Sequence, residues 1–114
     1  MKYIPTKNLA QVWYYPDERK AFEDAAWTKA QEEFLKELLD EEYRSVADYK
    51  EFLKEFTEAD INHDIIELQE ERDDLQVSAG HPDITPERSF QLLVESYVKS
   101  LYVQAHDEVL NIFK

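Results

Sequence analysis

Cysteine is absent from this 114-residue chain, and glycine occurs once. Without cysteine there is no disulfide framework, no thiolate metal site and no cysteine nucleophile. A single glycine rules out the glycine-rich loops that cradle phosphates, and no G-x-S-x-G nucleophile elbow is present. Long apolar runs are missing too: nothing approaches the roughly 18 residues of a membrane span. The opening "MKYIPTKNLAQVW" lacks the apolar stretch and small-residue cleavage site of a secretory leader. The expectation is a cytoplasmic protein with no membrane partner.

Positive charge is scarce. Lys and Arg number 13 against 26 Asp and Glu, a formal net charge of −13. The imbalance is local: residues 17–75 hold 21 acids and 8 bases, while the first sixteen residues are net +2 and residues 76–114 net −2. Such a polyanion repels nucleic acid and anionic lipid, so direct nucleic-acid binding is not expected. Its natural partners are basic protein surfaces.

What is there in quantity is helix-forming sequence. Between Asp17 and Ala79 there is neither Gly nor Pro, and Glu, Lys, Leu, Ala and Gln dominate. These residues lose least on entering a helix, so the chain reads as one all-α domain over 1–114. Residues 1–16, with Tyr3, Ile4, Val12, Trp13, Tyr14 and Tyr15, form an aromatic N-terminal arm, too apolar for a free tail. It is expected to pack on the helices as a short strand or irregular clasp.

A first helix is expected from Pro16 and Asp17, with Phe22, Ala26, Ala30, Phe34 and Leu38 inward and Trp27 and Leu35 widening the stripe. "SVAD" at Ser45–Asp48 and "TEAD" at Thr57–Asp60 resemble capping boxes and start two further helices. The second points Val46, Tyr49, Phe52, Leu53 and Phe56 inward. The third points Ile61, Ile65, Leu68 and Leu75 inward and ends near Gln76. After the loop "SAGHPDITPERS", Thr85 and Pro86 start a long helix to about Phe113. Its apolar residues cover so much of its circumference that it is either central in its bundle or buried in a homodimer. The architecture expected is an irregular four-helix bundle around that C-terminal helix.

Chemistry-bearing patterns are few. A di-metal bundle needs Glu-x-x-His on each of two helices; the nearest match, Asp60-x-x-His63, occurs once, and Val103 stands three residues before His106. "DINHDIIELQEE" lacks the glycine and alternating oxygen ligands of a calcium loop. No catalytic residue, metal site or cofactor is expected, and His63, His81 and His106 read as exposed or hydrogen-bonded histidines.

The acids themselves are the candidate site. On a helix, carboxylates at i, i+3, i+4 and i+7 stand about 5–6 Å apart along one face. Glu33, Glu37, Asp40 and Glu41 follow this spacing on the first helix. On the third, Asp64, Glu67, Glu71 and Asp74 do so, flanked by Glu70 and Asp73. Phosphates of one DNA strand advance about 3.4 Å each, so alternate phosphates recur on a comparable scale. Such rows can therefore occupy a groove built for a phosphate backbone. The plainer alternative is a solvated face kept for solubility, with interspersed bases making i,i+4 pairs.

One segment adds a family likeness. "HPDITPERSFQLLVESYVKSLYVQAHDEVLNIF", with Pro82-Asp83, Leu92-Leu93, Tyr97, Leu101 and Asp107-Glu108-Val109-Leu110, resembles the C-terminal part of the overcome-restriction proteins of T7-like phages. The chain departs from them in being less acidic and in ending "NIFK". The resemblance implies an acidic helical DNA mimic that binds, as a dimer, in the DNA groove of a restriction enzyme. Phage inhibitors of other DNA-handling defence enzymes, anti-CRISPR proteins among them, share this small acidic helical character. The function expected is a non-enzymatic, phage-encoded inhibitor acting in the host cytoplasm, with the ten acids above against a basic nucleic-acid-binding protein. The alternative is a helical adaptor, immunity or antitoxin protein binding its partner through the aromatic arm and the last helix.

Overall fold

Each helix begins where the local chemistry says it should. The computed structural model describes residues 2–113, and among these are five α-helices: α1 (Leu9–Val12), α2 (Pro16–Asp40), α3 (Val46–Leu53), α4 (Glu58–Ala79) and α5 (Pro86–Leu110). A 3-10 turn over Asn111–Phe113 closes the chain. Pro stands at the start of both α2 and α5, where its missing N–H costs nothing. Ser45, Thr57 and Thr85 each accept a backbone N–H from the third residue of the helix that follows. At Thr57 the box is reciprocal, Asp60 reaching back to the Thr57 N–H.

The expected four helices are α2 to α5, with α4 running three residues beyond Gln76 to Ala79. The arm is neither strand nor irregular clasp: it contains α1, capped reciprocally by Asn8 and Gln11. Leu9 and Val12 are buried, whereas Ile4, Trp13, Tyr14 and Tyr15 remain exposed. Tyr3 lies against the rings of Phe22 and Phe90. Phe52 and Phe56, expected inside, keep a substantial exposed surface and pack on each other at 5.1 Å. Trp27 and Leu35 are likewise exposed at the rim of the α2 stripe.

How α2 stops was hidden in the sequence. Glu42 adopts a left-handed φ of 72°, a position usually filled by Gly. The Tyr43 N–H bonds to Leu38 O at 2.8 Å and the Glu42 N–H to Leu39 O at 3.0 Å, the paired geometry of a Schellman motif. A non-glycine residue there carries about 1–2 kcal/mol of strain. Tyr43, partly buried against the core, helps to offset it.

Side-chain register defines the topology. Phe22 meets Phe90, Trp27 meets Tyr97 and Phe34 meets Tyr102, so residue numbers rise together and α2 runs parallel to α5. Across α4 they run oppositely, since Glu71 pairs with Lys99 and Asp64 lies by His106. The α4–α5 pair is therefore an antiparallel hairpin. Helix α5 is central: α2, α3 and α4 all pack on it, which accounts for its wide apolar circumference.

The lower end is tied by two polar residues. Ser89, fully buried, accepts the Leu9 N–H at 2.9 Å and donates to Ala79 O at 2.7 Å. It thereby satisfies an orphan donor at the start of α1 and an orphan acceptor at the end of α4. Asn8 adds bonds to Pro82 O and Ile84 O in the α4–α5 loop. Among the described residues no fully buried side-chain polar atom lacks a partner, and no helix is long and apolar enough to cross a membrane.

Candidate functional site

Helices α2 and α4 flank α5 but scarcely touch each other. Their facing residues explain the gap: at the upper end both present carboxylates, which repel, and only Leu68 offers apolar surface. The result is a cleft of about 550 Å³ lined by Glu37, Asp40 and Glu41 on one side and Asp64, Glu67, Leu68 and Glu71 on the other. Tyr49 of α3 and Lys99, Tyr102 and His106 of α5 complete the lining. Six carboxylates thus face one ammonium group, and that Lys99 is already paired with Glu71 at 2.9 Å.

Six of the ten sequence candidates therefore meet in one place, three from each row. The other four do not. Glu33 is half-buried beside Lys29, at 4.0 Å. Glu70, Asp73 and Asp74 are exposed and lie outside the cleft lining, Asp73 paired with Arg72 at 3.1 Å. A helix shows only part of its circumference and length to any groove, so candidates spread from Glu33 to Glu41 and from Asp64 to Asp74 cannot all enter it.

The floor is aromatic and hydrogen-bonded. Tyr102 donates to Glu37 at 3.0 Å and packs edge-on against Phe34 and Tyr49. Burial raises the pKa of the Tyr102 phenol, and the Glu37 carboxylate raises it further by charge and by accepting its hydrogen bond. Tyr49 is raised by burial first, then by neighbouring Tyr43 and the charges of Glu41 and Asp64. Both phenols therefore remain donors well above neutral pH. His106 is only 3% exposed. Its Nδ1 lies 2.7 Å from Tyr102 O; a carbonyl can only accept, so Nδ1 carries the proton.

The floor residues were not candidates from sequence. A signal existed: Lys99, Tyr102 and His106 stand at i, i+3 and i+7 on one face of α5. That face was indistinguishable from the broad apolar circumference around it until α2 and α4 were placed.

A second groove of about 550 Å³ lies at the lower end, lined among others by Leu9, Trp13, Tyr14, Arg19, Val77 and Tyr97. The Arg19 guanidinium sits 3.6 Å over the Trp13 ring and pairs with Glu23 at 2.9 Å. No protein-family model, curated protein or solved structure matches the chain.

Proposed function

We propose that this chain is a non-enzymatic inhibitor that takes the place of nucleic acid on a basic protein, with a restriction or CRISPR nuclease as the class of target. One observation carries the reading: two carboxylate rows on separate helices converge on a single cleft holding one already-paired ammonium. A DNA groove has the same plan, two anionic backbones flanking a space that a Lys- or Arg-bearing element enters. Here a basic helix or loop of the target would insert between α2 and α4. Release of counterions held by the facing carboxylates would drive association, as it does on DNA. Steering by the field of the whole polyanion would speed encounter.

The test is capture from bacterial lysate on the immobilised chain, eluted in parallel with duplex DNA, RNA and rising salt. The expected outcome is a nucleic-acid-processing enzyme displaced by one of the nucleic acids. Capture should be lost in the triple variant Asp40→Lys, Glu41→Lys, Glu67→Lys, which spares Glu37 and Glu71 and their structural bonds to Tyr102 and Lys99. Capture of the enzyme undiminished by that variant would reject the mechanism.

A second reading rests on the other groove. Tyr14 is 85% exposed and Val77 77%, with Trp13 and Tyr15 also outward, a grouping typical of interface anchors. An adaptor or immunity role through the arm predicts salt-insensitive capture that Tyr14→Ala abolishes.

A further inference from the structure

We infer that the His106 end of the upper cleft is a seat for one guanidinium group, the arginine side chain of a basic partner protein. The seat is made by His106 of α5, Tyr49 of α3, Asp64 of α4 and Glu41 of α2. This names the group that the inhibitor reading leaves open, and it rests on that reading for the source of the arginine.

Two buried side chains turn unpartnered polar atoms into this end of the cleft. His106 is 3% exposed and Tyr49 9%; both line the cleft, with ring centroids 6.0 Å apart. The Nδ1 proton of His106 is committed to Tyr102 O. In the neutral ring Nε2 therefore presents a lone pair, and it has no hydrogen bond among the described residues. The Tyr49 hydroxyl also lacks one there, unlike those of Tyr97 and Tyr102. Since no fully buried polar atom is left unpartnered among those residues, both atoms open onto the cleft although the rings that carry them are buried.

The charges around these atoms call for a donor. Asp64 Oδ2 lies 3.8 Å from His106 Nε2, so a lone pair faces a carboxylate with no proton between them. One N–H-bearing group bonded to both at about 2.9 Å spans that gap. The charges of Glu41 and Asp64 both reach the Tyr49 hydroxyl, so the α2 and α4 walls meet over the same ring. The chain's own cation is elsewhere. Lys99 stands a full two turns before His106, about 10 Å along α5, and is held by Glu71.

Donor chemistry selects guanidinium. Apart from the Tyr49 hydroxyl, which both donates and accepts, the free groups of the seat are acceptors, and they come from four helices. A guanidinium carries five N–H donors in one rigid plane and reaches acceptors on several sides at once, whereas an ammonium has three on a compact centre. Guanidinium is also the more weakly hydrated of the two and stacks on aromatic faces. The floor here is aromatic, with the Tyr49 and Tyr102 rings 5.6 Å apart. At about 550 Å³ the cleft has room for the methylene stem beside Leu68.

NMR titration of the full chain with two blocked tripeptides, Gly-Arg-Gly and Gly-Lys-Gly, at mildly alkaline pH tests the seat. The peptides are equal in charge and differ only in the cationic group. The arginine peptide is expected to shift the ring signals of His106 and Tyr49 saturably, at lower concentration than the lysine peptide. His106→Phe keeps a ring and loses the acceptor, and should weaken binding about tenfold or more. Tyr49→Phe, which removes only a hydroxyl, should weaken it as well. The double variant Glu70→Gln, Asp74→Asn, outside the cleft, should bind as the parent does. Equal response to the two peptides, or equal weakening by the outer double variant, would overturn the seat, because either is diffuse attraction of cations to an acidic protein. So would nitrogen shifts showing both ring nitrogens of His106 protonated in the free chain, since the donor would then be its own. Lysate capture separates the seat from the inhibitor reading. An enzyme captured equally by the parent and both ring variants keeps that reading and rejects the arginine anchor. Discrimination between the peptides with no enzyme captured supports the guanidinium seat and rejects the inhibitor reading.

Discussion

The crowded carboxylates of α4 should cost the fold stability, and Glu67→Gln measures how much. Glu67 lies mid-way along α4, beyond the reach of the helix dipole at either end, and is largely exposed. Gln and Glu have nearly equal helix propensity, so the substitution isolates charge. Three like charges stand at helical spacing from Glu67: Asp64 at i−3, Glu70 at i+3 and Glu71 at i+4. Each such pair is worth about 0.2–0.5 kcal/mol of repulsion at low salt. Lys99 neutralises much of the Glu71 contribution, leaving about 0.5–1 kcal/mol. For a domain of this size the gain corresponds to a rise of about 2–4 °C in Tm. Thermal unfolding followed by circular dichroism should show it at about 0.01 M salt, where charges interact over roughly 30 Å. It should largely vanish at about 1 M, where the screening length is near 3 Å. An unchanged or lower Tm at low salt, or a gain indifferent to salt, would refute the reasoning. A confirmed gain means that the chain retains its acids at the expense of stability, the trade expected of residues kept for binding rather than folding.

Two further outcomes follow from the geometry. Ser89→Ala should strand the buried Leu9 N–H and Ala79 carbonyl, lowering unfolding free energy by about 1–3 kcal/mol; a denaturant midpoint equal to the parent's would contradict the junction role. The Tyr97 phenol is pushed up to about 12 by burial, then by the charge and hydrogen bond of Glu23. The folded chain therefore holds this proton longer than the unfolded chain, whose phenols ionise near 10. Stability from this source is complete below about pH 10 and is lost as pH rises toward 12, with Tyr49 and Tyr102 acting in the same direction. Denaturant midpoints that stay flat or rise through that window would contradict it.

Much of the helical layout was readable in advance, because helix starts depend on residues within one turn. Pro16, Ser45, Thr57 and Thr85 act on their own helices, and the inward stripe Phe22–Ala26–Ala30–Phe34–Leu38 needs only the helical period. All five of those positions are buried. The end of α2 escaped notice because Glu42 takes a conformation that its side chain does not advertise. The arm escaped as well: Asn8 and Gln11 form a capping box, but one turn of helix gains its stability from tertiary bonds, here those of Asn8 and Ser89.

The acidic site divides in the same way. That carboxylates form rows on two helices follows from residue spacing alone, since position along each rod is a property of the backbone. Packing of the helices decided that Glu37, Asp40 and Glu41 face Asp64, Glu67 and Glu71 while Glu33, Glu70, Asp73 and Asp74 do not. It also decided that His106 lies beneath Asp64. Those relations depend on how α2 and α4 are rotated when they pack on α5, and that rotation is set by the shapes of buried residues on all three helices together. Interactions within a helix reach four residues; the cleft joins residues some seventy apart.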